Sequence, residues 1–520
     1  MNNNLMTDAV LTIRMGGETR KLTLPGVMAA LEADEVDDFP LLRPHHRHPW
    51  HAFLCQLAVM ALEEAEETLE TLHDESCWRQ MLRRLTPEFP EDEPWRLVVG
   101  DLSKPAFLQP PVPEGSLGRF KADAETGPES PLGLDVLVTS KQHGEKIGAL
   151  QQVEAEDWIL ALMVYQTFSG YLGSGNYGIA RQNGGFAARH GVSLAVSLRS
   201  GQNWKRDCCV LLRSLGTLRE TAPFPEDGGQ RLLWLEPWAG GREESLPLQQ
   251  LHPLFIEVCR RIRLLEGEDG RMEYRATGTS ASRVAAKEYN GVLGDPWLPV
   301  RIENAEGKAF NSKPHYSAAA EVLFDSGKYQ PALLQRLQED DPADGLAVVF
   351  RCFMRGQGNS DGYHERVVPI GGRERSFIGK ARDKAAETAK AMVENAKLAR
   401  FKVLKPALLH VLQSARDQVD YGQKETEAWA GRFADALDMR ANESFFPLLW
   451  QCLELRGEEP LSPRQLLPWV DFLVAEAREG FRRGCDALPL VGGLRYRALS
   501  KGESVLETLI VKYLSIKEES

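Results

Sequence analysis

The feature that most constrains this chain is a change of character after Gly371-Gly372. From Lys380 onward glycine and proline thin out and apolar residues recur at helical spacing. Four helical stretches are predicted, roughly 380–418, 424–454, 462–487 and 500–517. Ser462-Pro463 starts one of them, with serine as the cap and proline at the first helical position. Four helices with short connections predict an antiparallel four-helix bundle. The boundary is placed near residue 375, dividing the chain into 1–374 and 375–520.

The first part reads as mixed α/β, which makes the whole chain α+β. Two alternating runs flank Gly16-Gly17, a hairpin signal. Leu54, Leu57, Ala58, Ala61, Leu62, Ala65 and Leu69 share one side of a helix predicted over about 50–72. A second helix, about 154–170, is apolar nearly all round and is expected to be buried. Residues 109–134 and 220–247 are rich in proline, glycine and acid and read as long surface loops.

With 520 residues, 43% of them hydrophobic, the chain has material for two or three cooperating units. Its net charge of −12 argues against a protein that coats nucleic acid with its whole surface. Local basic patches must therefore be found by position. Eight cysteines without a CxxC pair read as buried, reduced thiols. The N-terminus lacks the basic and apolar regions of a signal peptide, and no apolar run approaches the length of a membrane span. A cytoplasmic protein is expected.

Enzyme signatures are sparse. There is no P-loop and no HExxH. Cys208-Cys209 runs into Val-Leu-Leu and reads as buried thiol rather than nucleophile. His45, His46, His48 and His51 fall within seven residues and suggest a metal-dependent enzyme. The competing reading packs Pro49-Trp50 against the domain and leaves the histidines in solvent, with no metal or other cofactor.

Three segments carry donors suited to nucleic acid. The glycine cluster Gly173–Gly185 offers close backbone approach together with Asn176, Arg181 and Asn183. The segment Asp135–Lys146 presents Lys141, His143 and Lys146 as phosphate partners. Arg355–Arg366 predicts a tight exposed turn presenting Asn359, Ser360 and Asp361. Each reads alternatively as an ordinary polar loop. Ten basic residues and four acidic ones lie between Arg373 and Lys405, a local +6 that includes Lys390, Lys397 and Arg400. Such a stripe binds a phosphate backbone without reading sequence, or is simply a solvated helix face.

These segments, in this order and together with Leu22-Thr-Leu-Pro-Gly-Val27 and Gly294-Asp-Pro-Trp-Leu-Pro299, resemble the CasA family. Its members are large subunits of type I-E CRISPR Cascade complexes. The resemblance spans nearly the whole chain and implies a large mixed α/β N-terminal domain followed by a four-helix bundle. It implies a binding protein that works beside crRNA-containing Cascade subunits and is not itself an enzyme. Such a protein finds the protospacer-adjacent motif in double-stranded DNA from the minor groove, wedges the duplex open and recruits a helicase–nuclease.

By position, the motif-reading glycine loop falls on Gly178, Arg181, Asn183, Gly184 and Gly185. The lysine finger falls on Arg283 or Lys287, and the wedge on Asn359, Ser360 and Asp361. The flexible first loop falls on Thr139–Lys146. Asp361 departs from the family, which often presents an amide there, and an acid at that place is expected to repel phosphate; the cysteine zinc cluster of some relatives has no counterpart. A pure scaffold subunit of a related Cascade is the remaining alternative.

Overall fold

The computed structural model describes residues 3–122, 127–135, 137, 153–170, 175, 177, 181, 189–303, 306–356, 359–413, 419–488 and 492–514. The chain divides into two units, 1–314 with 327–371, and 315–326 with 372–520.

The first unit begins with β1 (Leu11–Met15) and β2 (Glu18–Leu22), the hairpin expected around Gly16-Gly17. Both glycines take positive φ, +56° and +84°, as a two-residue hairpin turn requires. The helices α1 (Leu24–Glu32), α2 (Pro44–Ala65), α3 (Glu75–Arg84) and α4 (Ala155–Thr167) follow. Strand β3 (Gly191–Ala195) then leads into α5 (Ser200–Arg213) and α6 (Leu215–Glu220). Short pairs come next: β4 (Gln230–Leu232) with β5 (Leu251–Ile256), β6 (Arg261–Glu266) with β7 (Met272–Thr277), and β8 (Val300–Glu303) with β9 (Glu306–Ala309) and β10 (Tyr329–Gln330). A long hairpin, β11 (Leu346–Gly356) and β12 (Asn359–Ile370), joins β3 in a three-stranded sheet of order β12-β11-β3.

Segment 220–247 departs from the expected surface loop. It has little regular structure, yet Trp234 and Trp238 are 0% and 1% exposed. Proline and glycine foretold irregular backbone there, and the tryptophans decided burial. Six of the eight cysteines are buried.

Helix α2 starts at Pro44, six residues before the expected onset, because proline suits the first helical turn. That shift carries the histidines inward, so the solvent reading of the tract is corrected: His45, His46 and His48 are 2%, 8% and 2% exposed. They do not form a common centre. His45 and Arg43 hold the carboxylate of Asp135, at 3.1 Å and 3.0 Å. His48 packs edge-on against Phe168 and Trp297. His51 pairs with Asp207 at 2.8 Å.

A second buried charge network crosses the unit. Arg189 donates through Nε at 2.6 Å and Nη2 at 3.1 Å to the two oxygens of Asp295, both residues being nearly inaccessible. Its guanidinium also lies 5.4 Å from the Trp297 ring centre. Burial alone would raise the Asp295 pKa, but Arg189 holds it below the ordinary carboxylate value. Nearby, Arg181 donates to the carbonyls of Pro253 (2.7 Å) and Phe255 (3.0 Å) and lies beside Glu257.

The second unit contains α7 (Tyr316–Phe324), α8 (Arg382–Leu398), α9 (Lys405–Leu412), α10 (Lys424–Arg456), α11 (Leu467–Asp486) and α12 (Gly492–Tyr513). Helices α8 to α12 fill the four predicted stretches around Met392, Phe445, Leu449, Trp469 and Leu473. The first stretch is interrupted by a wide turn at Ala399–Leu404. Pro406 explains it: with no N–H to offer residue 402 and a ring that crowds that carbonyl, it forces the backbone to loosen one turn earlier. Among the described residues no helix is long and apolar enough to cross a membrane.

Two tests follow from the buried charges. Arg189→Met strands a carboxylate in the core and should cost roughly 3–5 kcal/mol. Adding Asp295→Asn should restore part of that loss, read by urea denaturation with tryptophan fluorescence; equal costs for single and double variants would refute the pairing. For Asp135, burial is outweighed by His45 and the Leu137 amide, leaving a pKa of about 2. A depressed carboxylate stabilises the fold above its unfolded pKa and loses that contribution as pH falls from about 4 to about 2, a term of about 2 kcal/mol. Asp135→Asn should lower stability by that order at neutral pH and flatten this acid limb.

Candidate nucleic-acid interface

The hairpin β11–β12 pairs in antiparallel register from Leu346↔Ile370 to Gly356↔Asn359. The register slips once: Met354 faces Gly362, whereas Arg355 faces Ser360. Asp361 is therefore the extra residue of a bulge, followed by Gly362 at φ +97°. The segment forms the end of a long ribbon, with Asn359 and Ser360 as the first residues of β12 and two positions between Gly356 and Asn359.

The acid at Asp361 does not stand alone. Lys313 forms an ion pair with its exposed carboxylate, so the charge expected to repel phosphate is compensated beside the tip. Lys313 had no signal in the sequence, lying in Asn-Ser-Lys-Pro, 48 positions before its partner. Lower in the ribbon, Glu365 accepts from Arg351 at 2.9 Å and from the Tyr363 hydroxyl at 2.8 Å.

On the other side of β11 lies β3, antiparallel, with Gly191 opposite Arg351 and Ala195 opposite Ala347. The chain enters β3 at Gly191 after the glycine cluster. The start of β3, six residues after the last glycine of the cluster, therefore sits at the end of the sheet from which the ribbon projects. From Arg351 to Gly356 the ribbon extends five further residues, about 17 Å at ~3.4 Å each. Gly191 itself is sterically required: a Cβ there would fall 2.1 Å from His48 Nε2.

Within the cluster, Gly178, Asn183, Gly184 and Gly185 lie outside the described residues, as do Lys141, His143 and Lys146. Arg181 is described and points inward, 3% exposed, with its guanidinium 4.0 Å from the Phe255 ring centre. Burial lowers its pKa to about 10, which still leaves it charged at neutral pH. It holds the cluster to the core from within, while Arg189, four residues past the last glycine, fixes the chain that leads into β3. Neither anchoring role was foreseen, although Arg189 and Asp295 flank glycine-rich turns in the sequence.

Of the two finger candidates, Arg283 is spent internally. It is 3% exposed, donates to the Glu244 carbonyl at 3.1 Å and stacks over Trp238 at 5.8 Å. Lys287 opens a short 3-10 turn that ends at Asn290, whose φ is +50°.

In the second unit, α10 changes the charge balance of the basic stripe. Arg400 holds Asp435 at 3.0 Å and Asp438 at 2.8 Å. Lys405 pairs with Glu427 and Arg373 with Glu454. Lys397 stays exposed beside Glu394, and Lys390 is exposed on the same helix. The local +6 was counted along the chain, while the neutralising acids come from a neighbouring helix.

No family model matches the chain, and no curated protein matches it. Solved structures do. Cse1 from Acidimicrobium ferrooxidans matches with a TM-score of 0.64 at 15% identity, covering 99% of both chains. CasA (Cse1) from Thermus thermophilus matches at 0.62 and 17% identity, over 98% of this chain and 99% of that one. Cse1 from Thermobifida fusca matches at 0.56 and 16% identity, over 99% and 98%. From end to end, this chain has the fold of the Cse1/CasA proteins.

Proposed function

We propose that the chain is the large subunit of a type I-E CRISPR RNA-guided complex, a binding subunit in the cytoplasm with no catalysis of its own. In this reading it recognises the protospacer-adjacent motif from the minor groove, opens the duplex for guide pairing and recruits a helicase–nuclease. One observation supports it: the start of β3, six residues after the glycine cluster, and the β11–β12 tip lie toward the same end of one three-stranded sheet.

The minor groove offers a degenerate acceptor pattern, which glycine backbone, Asn183 and one cation suit. Lys287 is the cation of choice, since Arg283 is committed to Trp238 and Glu244. The wedge is Asn359 and Ser360, with Asp361 compensated by Lys313. Unstacking a base step costs a few kcal/mol, offset by new contacts and by pairing with the guide. Arg181 and Arg283 act as supports for the reading elements, and Arg400 as a support within the bundle. Lys141, His143 and Lys146, with Lys390 and Lys397, are the residues proposed for the nucleic-acid backbone.

In the reconstituted complex, Asn359→Ala with Ser360→Ala should slow opening of a matched duplex at least tenfold while binding to a pre-melted target stays nearly unchanged. Equal loss on both substrates would remove the wedge, and equal affinity for targets with correct and scrambled flanking motifs would remove motif reading. Lys390→Glu with Lys397→Glu should reduce the slope of log affinity against log salt by about 2. An unchanged slope would favour the scaffold reading of the bundle.

A further inference from the structure

Another side-chain cluster in the first unit is independent of nucleic-acid binding. His51 and Cys55 stand four residues apart on one face of α2, and Asp207 reaches them from α5. His51 Nε2 lies 2.8 Å from Asp207 Oδ2 and 3.5 Å from Cys55 Sγ. All three donor atoms lie within 4.8 Å of one another.

Acid and sulfur meet the same ring nitrogen. In a hydrolytic triad the acid takes one imidazole nitrogen and the nucleophile the other, so this arrangement is not a proton relay. Three donors around one point suit a cation instead. Tetrahedral zinc, with bonds of about 2.0 Å to nitrogen and 2.3 Å to sulfur, separates those ligands by about 3.5 Å and separates nitrogen from carboxylate oxygen by about 3.3 Å. The sulfur spacing already matches; the oxygen needs to withdraw about 0.5 Å.

The carboxylate is oriented for this. Its other oxygen, Oδ1, accepts from Arg206 Nη1 at 3.0 Å. Arg206 is in turn held by Asp341 at 2.9 Å and 3.1 Å. This outer shell fixes the Asp207 rotamer and leaves Oδ2 toward His51. Asp135 offers the contrast, since Arg43 and the Leu137 amide already occupy its two oxygens alongside His45.

Access is provided on one side. His51 and Asp207 line a cavity of about 300 Å³ with Ser193, Asn203 and Trp204, whereas Cys55 is 0% exposed behind them. We infer that His51, Cys55 and Asp207 form a site for a zinc-class divalent cation whose fourth position faces this cavity and takes water. This departs from the metal-free expectation of the sequence and from the four-histidine tract, of which His51 alone contributes.

The test uses the full chain, stripped with chelator and titrated with Co²⁺. One equivalent should bind with a thiolate-to-cobalt charge-transfer band and tetrahedral visible absorption, and Zn²⁺ should displace it. Cys55→Ser should abolish the charge-transfer band. Asp207→Asn, nearly isosteric and therefore safer for folding, should weaken Co²⁺ at least as much as loss of an outer-shell partner does, roughly 10- to 100-fold. Cys77→Ser, an exposed thiol, and His45→Asn should leave spectrum and affinity unchanged. Absence of a one-equivalent band in the unaltered chain overturns the proposal, as does a band that survives Asp207→Asn at full affinity or disappears with Cys77→Ser.

Discussion

The bidentate pair between Arg189 and Asp295 fixes the approach of the chain to β3 in the first unit. A guanidinium and a carboxylate removed from water are tolerable only when each satisfies the other, and here the side chain of Gln56 and the face of Trp297 complete the enclosure. The pair joins a residue four positions past the glycine cluster to the Gly-Asp-Pro-Trp turn more than a hundred positions later. Arg181, inside the cluster, is drawn into the core in the same way, by the carbonyls of Pro253 and Phe255.

Charge is used differently in the two units. In the first, arginines are drawn inside to bind carbonyls and acids. In the second, surface lysines and arginines are largely matched by acids of neighbouring helices. The net −12 of the chain thus coexists with a few cations left outward, at Lys390 and Lys397, and with Lys313 balancing the acid at the ribbon tip.

Much of the architecture was legible. Gly-Gly between alternating runs identified the first hairpin, and glycine-poor periodicity identified the helical C-terminal part. The wide turn ahead of Pro406 and the early start of α2 at Pro44 depend on proline at particular helical positions, which periodicity averages away. Burial of His45, His46 and His48 was hidden because their partners, Asp135, Phe168 and Trp297, are distant in sequence. The same reason hid Asp207 from His51 and Lys313 from Asp361. Motif segments were visible as composition; the side chains that answer them across the fold were not.

The single slipped residue at Asp361 has a wider meaning. Below it, the ribbon must alternate in step with β3, because one face of those strands is core. Above it, that obligation ends, since an added or lost residue there is absorbed by the kink and never reaches the packed layer. The outermost positions of the hairpin are thereby free to change length and chemistry at little risk to folding.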